Sequence, residues 1–502
     1  MNAAPPRYRN THVGGCTSTL VTHAPDGSVR LQSPEPLQPY LQRLNDALEH
    51  WAQQAPERVF VARRDVTQTG QPWQTSTYAQ MRDRAQRLGQ ALLDLGASAQ
   101  RPLLILSGND LEHLSLALGA MWAGIPHVPA SPAYSLLSQD HGKLRHIVGL
   151  TTPGVVFAAG PTYGRAIEAA VPAGTPVVMT EGPGVAGSED SAASSGSPTT
   201  VPTATESQGG HLWHTFHSLL QTEPGPALEA AHTSVGPDTV VKILFTSGST
   251  RMPKGVTTTH GMLCANQQML RQSLAFLADE PPVLVDWLPW NHVFGGSHNV
   301  GLTLFNGGTL YIDDGKPTPE AIGPTLRNLR DISPTVYFNV PKGLEMIAQA
   351  MREDTVLRDS LFRRCQAMMF AGAGLSQTVW DAVITGLNRN EVGALIFPRL
   401  DDCRRLVGLQ ANADARQVLQ HPAVQAFFQA LLDRLQHGAT GSATRVARLH
   451  VMAAPPSLDL GEVTDKGSIN QRAVLTHRAA LVERLHAAGT EDPEVLKPTA
   501  AP

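Results

Sequence analysis

At 502 residues the chain is long enough for about three domains, and a hydrophobic share of 42% is ample for large cores. Lys and Arg number 39 against 43 Asp and Glu, a net charge of −4 with no run of one sign. That balance excludes the basic footprint of a nucleic-acid or anionic-membrane binder and leaves small-molecule chemistry. Cys16, Cys264, Cys365 and Cys403 are too scattered for a metal-ligand pair and too few for a disulfide framework, so a reducing cytoplasm is the expected location. No apolar signal-peptide core follows Met1, and no stretch approaches the roughly 18 apolar residues of a membrane span.

Residues 1–34 are polar and punctuated by Gly and Pro, and read as an arm laid over the surface. Helical spacing begins with Leu41, Leu44, Leu48 and Trp51, and returns with Met81, Ala85, Leu88, Leu92 and Leu95 before Gly96 stops it. Leu103 to Leu106 is a short apolar run. It feeds Ser107-Gly108-Asn109-Asp110 and a helix from Leu114 to Trp122, the pattern of a strand leading into a helix N-terminus. Runs at Val155 to Ala158 and Val177 to Met179 continue the alternation and predict an α/β domain with mainly parallel strands flanked by helices. From Pro183 to Gly210 the composition turns to Gly, Ser, Thr, Pro and Ala, which cannot form a packed face, so a disordered loop is expected.

After that loop comes Ile243-Leu244-Phe245-Thr246-Ser247-Gly248-Ser249-Thr250-Arg251-Met252-Pro253-Lys254-Gly255-Val256. An apolar strand ends in hydroxyl residues and glycine and is closed by Pro-Lys-Gly. Small residues let backbone N–H groups approach phosphate oxygens, the hydroxyls add donors, and Lys254 supplies a point charge. A bare Ser/Thr/Gly cluster reads equally well as a solvent loop; its ordered position behind a strand favours phosphate. The Walker loop is excluded, because there the lysine follows a glycine and here Pro253 precedes Lys254.

Strand-like runs follow at Val283 to Val285, Thr309 to Ile312, Thr335 to Phe338 and Ala367 to Phe370. Val392 to Phe397 predicts a strand. Val424, Phe427, Phe428, Leu431 and Leu435 predict an amphipathic helix, and the alternation from Val446 to Val451 a further strand, together a small α+β unit.

Thr-Ser-Gly-Ser-Thr-x-x-Pro-Lys-Gly resembles the nucleotide loop of the adenylate-forming (AMP-binding, acyl-CoA ligase) superfamily, with Arg251 where most members carry glycine. Asp286-Trp287-Leu288-Pro289-Trp290-Asn291-His292-Val293-Phe294-Gly295-Gly296 and Ala371-Gly372-Ala373-Gly374-Leu375-Ser376 resemble the feruloyl-CoA synthase branch. That branch joins hydroxycinnamates to coenzyme A. The resemblance runs from about Arg30 to about Ala480. It implies ATP and coenzyme A as co-substrates, Mg²⁺ as cofactor and an aromatic acid as substrate; the charge balance predicts no nucleic-acid or membrane partner, and the oligomeric state is left open. It also implies a large N-terminal domain over 35–383 and a mobile C-terminal lid over 384–502.

Residue by residue, the resemblance assigns ATP binding to Thr246, Ser247, Gly248, Ser249, Thr250, Lys254 and Gly255, and adenine contact to Gly372, Ala373 and Gly374. His292, Phe294, Gly295 and Asn339 become the acid pocket, His292 as an aromatic wall beside the carboxylate. Each has a plainer reading, as core histidine, tight turn or packing residue. Lys466, in Thr464-Asp465-Lys466-Gly467-Ser468-Ile469, is the candidate for the lid lysine that reaches the acyl carboxylate, although it stands two residues early against Ile469. An exposed loop lysine is the alternative.

Two family segments are missing: Gly-x-Thr-Glu, whose carboxylate holds Mg²⁺, and Tyr-x-Ser/Thr-Gly-Asp, whose aspartate holds the ribose. No tyrosine follows Tyr337, and Trp380-Asp381-Ala382-Val383 runs directly into Ile384-Thr385-Gly386-Leu387. A block on the order of a hundred residues, enough for a small domain, is therefore expected to be absent at that junction, which divides large domain from lid. No metal ligand set is read from the sequence, and a catalytically impaired relative is the alternative function.

Overall fold

Apolar runs at the positions expected from sequence set the strands of the computed structural model, which describes residues 9–15, 18–180, 205–206, 210–246, 252–371, 381–386, 389, 391–410, 412–437, 445–463, 469–487, 492 and 494–499. These fall into two compact units, the larger built from residues before 372 and the smaller chiefly from residues after 380.

The larger unit is α/β. Its eight-stranded sheet runs in the order Lys254–Thr259, Val240–Thr246, His127–Pro129, Leu103–Leu106, Val155–Ala158, Pro176–Met179, Leu212–Thr215, Thr205–Glu206. The inner strands are parallel and both edge strands antiparallel. Central strands such as Leu103–Leu106 and Val155–Ala158 are buried along their whole length, which is why they read as unbroken apolar runs rather than alternations. A second sheet orders Val283–Asp286, Thr309–Ile312, Val59–Arg64 and Trp73–Thr77, and Val336–Asn339 pairs in parallel with Ala367–Phe370.

The helix Tyr78–Asp94 starts at Thr77, whose side chain forms a capping box with Gln80, and buries Met81, Ala85, Leu88 and Leu92 on the face the spacing predicts. It packs on Leu111–Trp122, a helix buried almost all round whose first turn is capped by Asp110. Gly119 lets the two backbones meet, since a Cβ there would stand 2.8 Å from that of Leu88 and 3.0 Å from the Gly89 nitrogen.

In the smaller unit Asp381–Thr385 pairs antiparallel with Val392–Phe397, which runs parallel to Val446–Val451, with Val495–Leu496 antiparallel at the far edge. Ala394 and Ile396 face a core with Val424, Phe428 and Leu432 of the helix Pro422–His437, while Leu395 and Phe397 face Val474 and Leu485 on the other side.

Three expectations are corrected. Val383 and Ile384 lie on one strand, paired with Leu395 and Ala394, so Asp381–Val383 belong to the smaller unit; the cause is the complete burial of Val383 in its core. The arm carries a two-stranded hairpin, Leu20–His23 with Val29–Gln32, turned at Gly27 with φ +82°. Within the segment Pro183 to Gly210 expected to be a loop, Thr205–Glu206 pair with Leu212–Trp213, because the edge strand there offers a free backbone row; 183–204 and 207–209 lie outside the described residues.

Candidate functional site

The carboxyl ends of parallel strands are where α/β sheets bind ligands, and the sequence-predicted residues gather at three such ends. Val240–Thr246 turns back as the antiparallel strand Lys254–Thr259, with Thr246 paired to Lys254, so the candidate phosphate loop falls between the two strands of a hairpin. Lys254 and Gly255 are exposed at its base, and Gly255 lies over Ile243 and Phe245, where a Cβ would come within 3.1 Å of Ile243. His146 Nε2 lies 3.0 Å from the Pro253 carbonyl and fixes the residue before Lys254. Ser247 to Thr250 lie outside the described residues, as do Gly372 to Gly374 and Lys466.

Leu103–Leu106 ends at Asn109, whose amide donates to the Leu288 carbonyl (2.9 Å) and accepts from the Trp290 N–H (3.0 Å). One side chain thus pins the loop that leads into the turn after His292. That loop leaves Val283–Asp286 at Asp286, whose Oδ1 accepts from the Leu288 N–H; burial pushes the carboxyl up to about 7.

The motif itself is a π-helical turn, Val293–Asn299. Such turns are rare and occur mostly at functional sites. His292 caps it: its Nδ1 accepts from the Phe294 N–H at 3.3 Å, which leaves the ring proton on Nε2. Gly295 and Gly296 are required by close approach, because a Cβ would lie 2.2 Å from the Leu288 carbonyl oxygen in the first and 2.1 Å from that of Trp290 in the second. Behind the turn, Lys242 of the strand that ends at Thr246 donates from Nζ to the Gly296 carbonyl at 2.7 Å.

Phe294, His298 and Phe338 form an edge-on aromatic cluster, with ring centroids 5.5 Å (Phe294–His298), 6.0 Å (Phe294–Phe338) and 4.8 Å (His298–Phe338) apart. Burial holds His298 below the usual imidazole range, so it is neutral and apolar in character at neutral pH. Asn339 is fully buried; it donates to the Tyr337 hydroxyl (2.9 Å) and accepts from the Val340 N–H (2.7 Å) at the start of the helix Pro341–Ala350.

The structure therefore brings His292, Phe294 and Gly295 onto one turn, sets Thr246 and Lys254 side by side on the hairpin, and uses Asn339 to hold a helix start. Sequence reading missed Asn109, His146, Lys242, His298 and Phe338. Lys242 did leave a signal, a single charge inside the apolar run Val240-Val241-Lys242-Ile243-Leu244.

A family model described as AMP-binding enzyme matches residues 48–394, more than half of the chain. The chain belongs to the AMP-binding enzyme family. Long-chain-fatty-acid--CoA ligase ACSBG2 of Rattus norvegicus is 21% identical over 377 residues, covering 73% of this chain and 50% of that protein. A 4-hydroxyphenylalkanoate adenylyltransferase of Mycobacterium marinum is 26% identical over 244 residues, covering 48% of this chain and 33% of that protein. These matches span at most half the length of the curated relatives. Among solved structures, the A domain of carboxylic acid reductase from Segniliparus rugosus, in complex with AMP and a co-purified carboxylic acid, superposes with a TM-score of 0.58 at 13% identity. It covers 89% of this chain and 94% of that one, a likeness of fold. Among the described residues no helix is long and apolar enough to cross a membrane, and Cys264, Cys365 and Cys403 are buried free thiols.

Proposed function

We propose that this AMP-binding protein is an AMP-forming acid–thiol ligase of the feruloyl-CoA synthase type. It would activate an aromatic acid such as a hydroxycinnamate with ATP, giving the acyl-adenylate and pyrophosphate, and pass the acyl group to the coenzyme A thiol as AMP leaves. The observation that carries the reading is the edge-on cluster of Phe294, His298 and Phe338 beside the His292 turn, itself tied through Lys242 to the strand that ends at Thr246. Flat apolar walls suit a flat ring. A relative whose name specifies a 4-hydroxyphenylalkanoate supports an aromatic acid, while the fatty-acid ligases support the ligase chemistry at large.

In this reading Lys254 and the hydroxyls of Thr246 to Thr250 hold the distal phosphates while charge develops on the leaving pyrophosphate. The resemblance assigns adenine contact to Gly372, Ala373 and Gly374, the acid pocket to His292, Phe294, Gly295 and Asn339, and the acyl carboxylate to Lys466; Gly372 to Gly374 and Lys466 lie outside the described residues. Mg²⁺ carried by ATP needs only one or two protein carboxylates beside the phosphates; among the described residues no group of three or more His, Cys, Asp or Glu side chains is placed to hold a metal, and the family's carboxylate segment is not recognised in the sequence. No step is derived through the ion.

The same missing segments favour a second reading, a relative that binds nucleotide or aromatic acid without turnover. ATP–pyrophosphate exchange with and without ferulate separates the two, since it reports adenylation independently of the thioester step. Ferulate-dependent exchange supports the ligase. A chain that binds ferulate yet shows no exchange is the impaired relative, and one that neither binds nor exchanges with any aromatic acid refutes the aromatic assignment.

A further inference from the structure

Lys242 is an anomaly of the core. It is only 4% exposed, it sits mid-strand between apolar neighbours, and its Nζ donates to the Gly296 carbonyl. It lines a cavity of about 30 Å³ together with His113, His127, Trp290 and Ser297, and no carboxylate among the described residues lines that cavity. The His127 Nδ1, Trp290 Nε1 and Ser297 Oγ atoms are buried without hydrogen-bond partners. An ammonium in such surroundings is a burden on stability that a Met or Leu of similar volume would not carry.

What the ammonium does is local. The π-turn is pressed against the backbone of Leu288 and Trp290 on one side, where the two glycines leave no spare room. On the other side it is held by Lys242 at the Gly296 carbonyl and by Gln267, whose amide donates to the Ser297 carbonyl at 3.0 Å. Charged donors make the stronger bonds, so Lys242 is the stiffer of the two rear supports. It also stands on the strand that delivers Thr246 to the phosphate loop.

We propose that Lys242 is a positioning residue: its buried ammonium fixes the Val293–Asn299 turn from behind and so sets the aromatic acid pocket in register with the phosphate-loop strand. The proposal rests on the ligase reading for its purpose and on the geometry of the turn for its mechanism. Burial lowers Lys242 to about 8, so the support weakens in mildly alkaline solution. The other titratable groups facing the cavity are His113, from the helix Leu111–Trp122, and His127, from the neighbouring strand; His260, on the helix His260–Ser273, acts on His127 electrostatically. Burial holds all of them below the usual imidazole range, His113 and His260 at about 4, so none changes charge above pH 7.

The test compares hydrogen exchange of wild type and Lys242→Met at matched pH, which cancels the intrinsic pH dependence of exchange. At pH 7 the amides of 293–299 should exchange at least about ten-fold faster in the variant, while the strands Leu103–Leu106 and Val155–Ala158 keep their protection and the thermal midpoint does not fall. As pH rises to 9.5 the ammonium gives way to a neutral amine, a weaker donor, and the ratio at 293–299 should fall. Unchanged exchange at the turn, loosening spread evenly over the larger unit, or a ratio indifferent to pH would each overturn the proposal. Where ferulate-dependent exchange is measurable, the variant should raise KM for ferulate with KM for ATP unchanged. Equal rises in both would overturn it. Should wild type show no ferulate-dependent exchange at all, the ligase reading fails and the turn's protection still decides the role of Lys242.

Discussion

Replacing Gly296 by Ala is the sharpest perturbation the Val293–Asn299 turn offers. The added Cβ would stand 2.1 Å from the Trp290 carbonyl oxygen, 2.9 Å from its carbon and 3.1 Å from its Cα, all backbone atoms that no rotamer change can clear. Restoring ordinary contact at 3.4 Å or more requires the turn and the Trp290 loop to part by over an ångström. Asn109 resists that movement, since both of its amide bonds hold the same loop. Gly296 has no positive φ, so the cost is steric: about 1–3 kcal/mol for forced overpacking, or a midpoint drop of roughly 1–4 °C in a unit of this size. An acid held by the displaced turn should bind about 10- to 100-fold more weakly if that strain falls on the bound state, at about 1.4 kcal/mol per factor of ten. The assay pairs thermal denaturation with ferulate titration, and Gly149→Ala is the control. Gly149 lies in the helix Gly142–Thr151 with nothing within 4 Å of a Cβ, so Ala there should stabilise by about 0.5–1 kcal/mol. A Gly296→Ala protein with unchanged midpoint and affinity would refute the close approach and the pocket built on it.

If Lys254 holds the distal phosphates as proposed, Lys254→Ala should weaken ATP binding far more than AMP binding, because AMP lacks them; equal losses in titration calorimetry would move the hairpin loop away from them. Glu462 is 1% exposed and accepts two bonds from Arg478, at 2.8 and 2.7 Å, so Glu462→Gln should cost the smaller unit about 3–5 kcal/mol. Limited proteolysis should then cut that unit selectively, and equal protease resistance in both proteins counts against the pair. Burial raises Asp286 from 3.8 to about 7, so the folded state holds that proton more tightly and stability falls as pH rises between those values, with no further loss above. Asp110 is raised in the same sense. Asp286→Asn should therefore flatten part of the midpoint's decline across that window, and a slope identical to wild type would exclude the buried carboxyl as its source.

The parallel core was legible in sequence wherever burial is complete, because Leu103–Leu106 or Val155–Ala158 can be nothing but apolar when both faces are covered. The hairpin Leu20–Gln32 was missed for the opposite reason. All of its residues are exposed, so no buried face writes a pattern, and only Asp26-Gly27 between short alternating runs announced it. His292, Phe294 and Gly295 share one turn, because a motif of consecutive residues travels as a unit. Phe338 and Asn109 reach the same place from other strands, and that convergence depends on sheet order, which local pattern does not encode. The same limit hid the path of residues 381–385: a strand's partner, Val392–Phe397 in this case, decides to which unit it belongs.

Features that tax stability collect around the π-turn. Asp286 and Lys242 are buried ionisable groups, His113 and His127 are buried imidazoles, and Trp287 Nε1, Trp290 Nε1 and Ser297 Oγ are buried without partners. A chain selected for stability alone would place apolar side chains and a regular helix there, and departures of this kind concentrate where a function requires a set geometry. The turn offers a way to separate geometry from stability. Lys242→Met removes a buried charge and should leave the fold as stable or more so, whereas Gly296→Ala introduces a backbone clash and should weaken it. Both displace the same turn, so both should weaken ferulate binding. If affinity instead follows the midpoint, falling in one variant and rising in the other, the burdens around the turn belong to the general packing of the larger unit, and the acid pocket must be sought elsewhere.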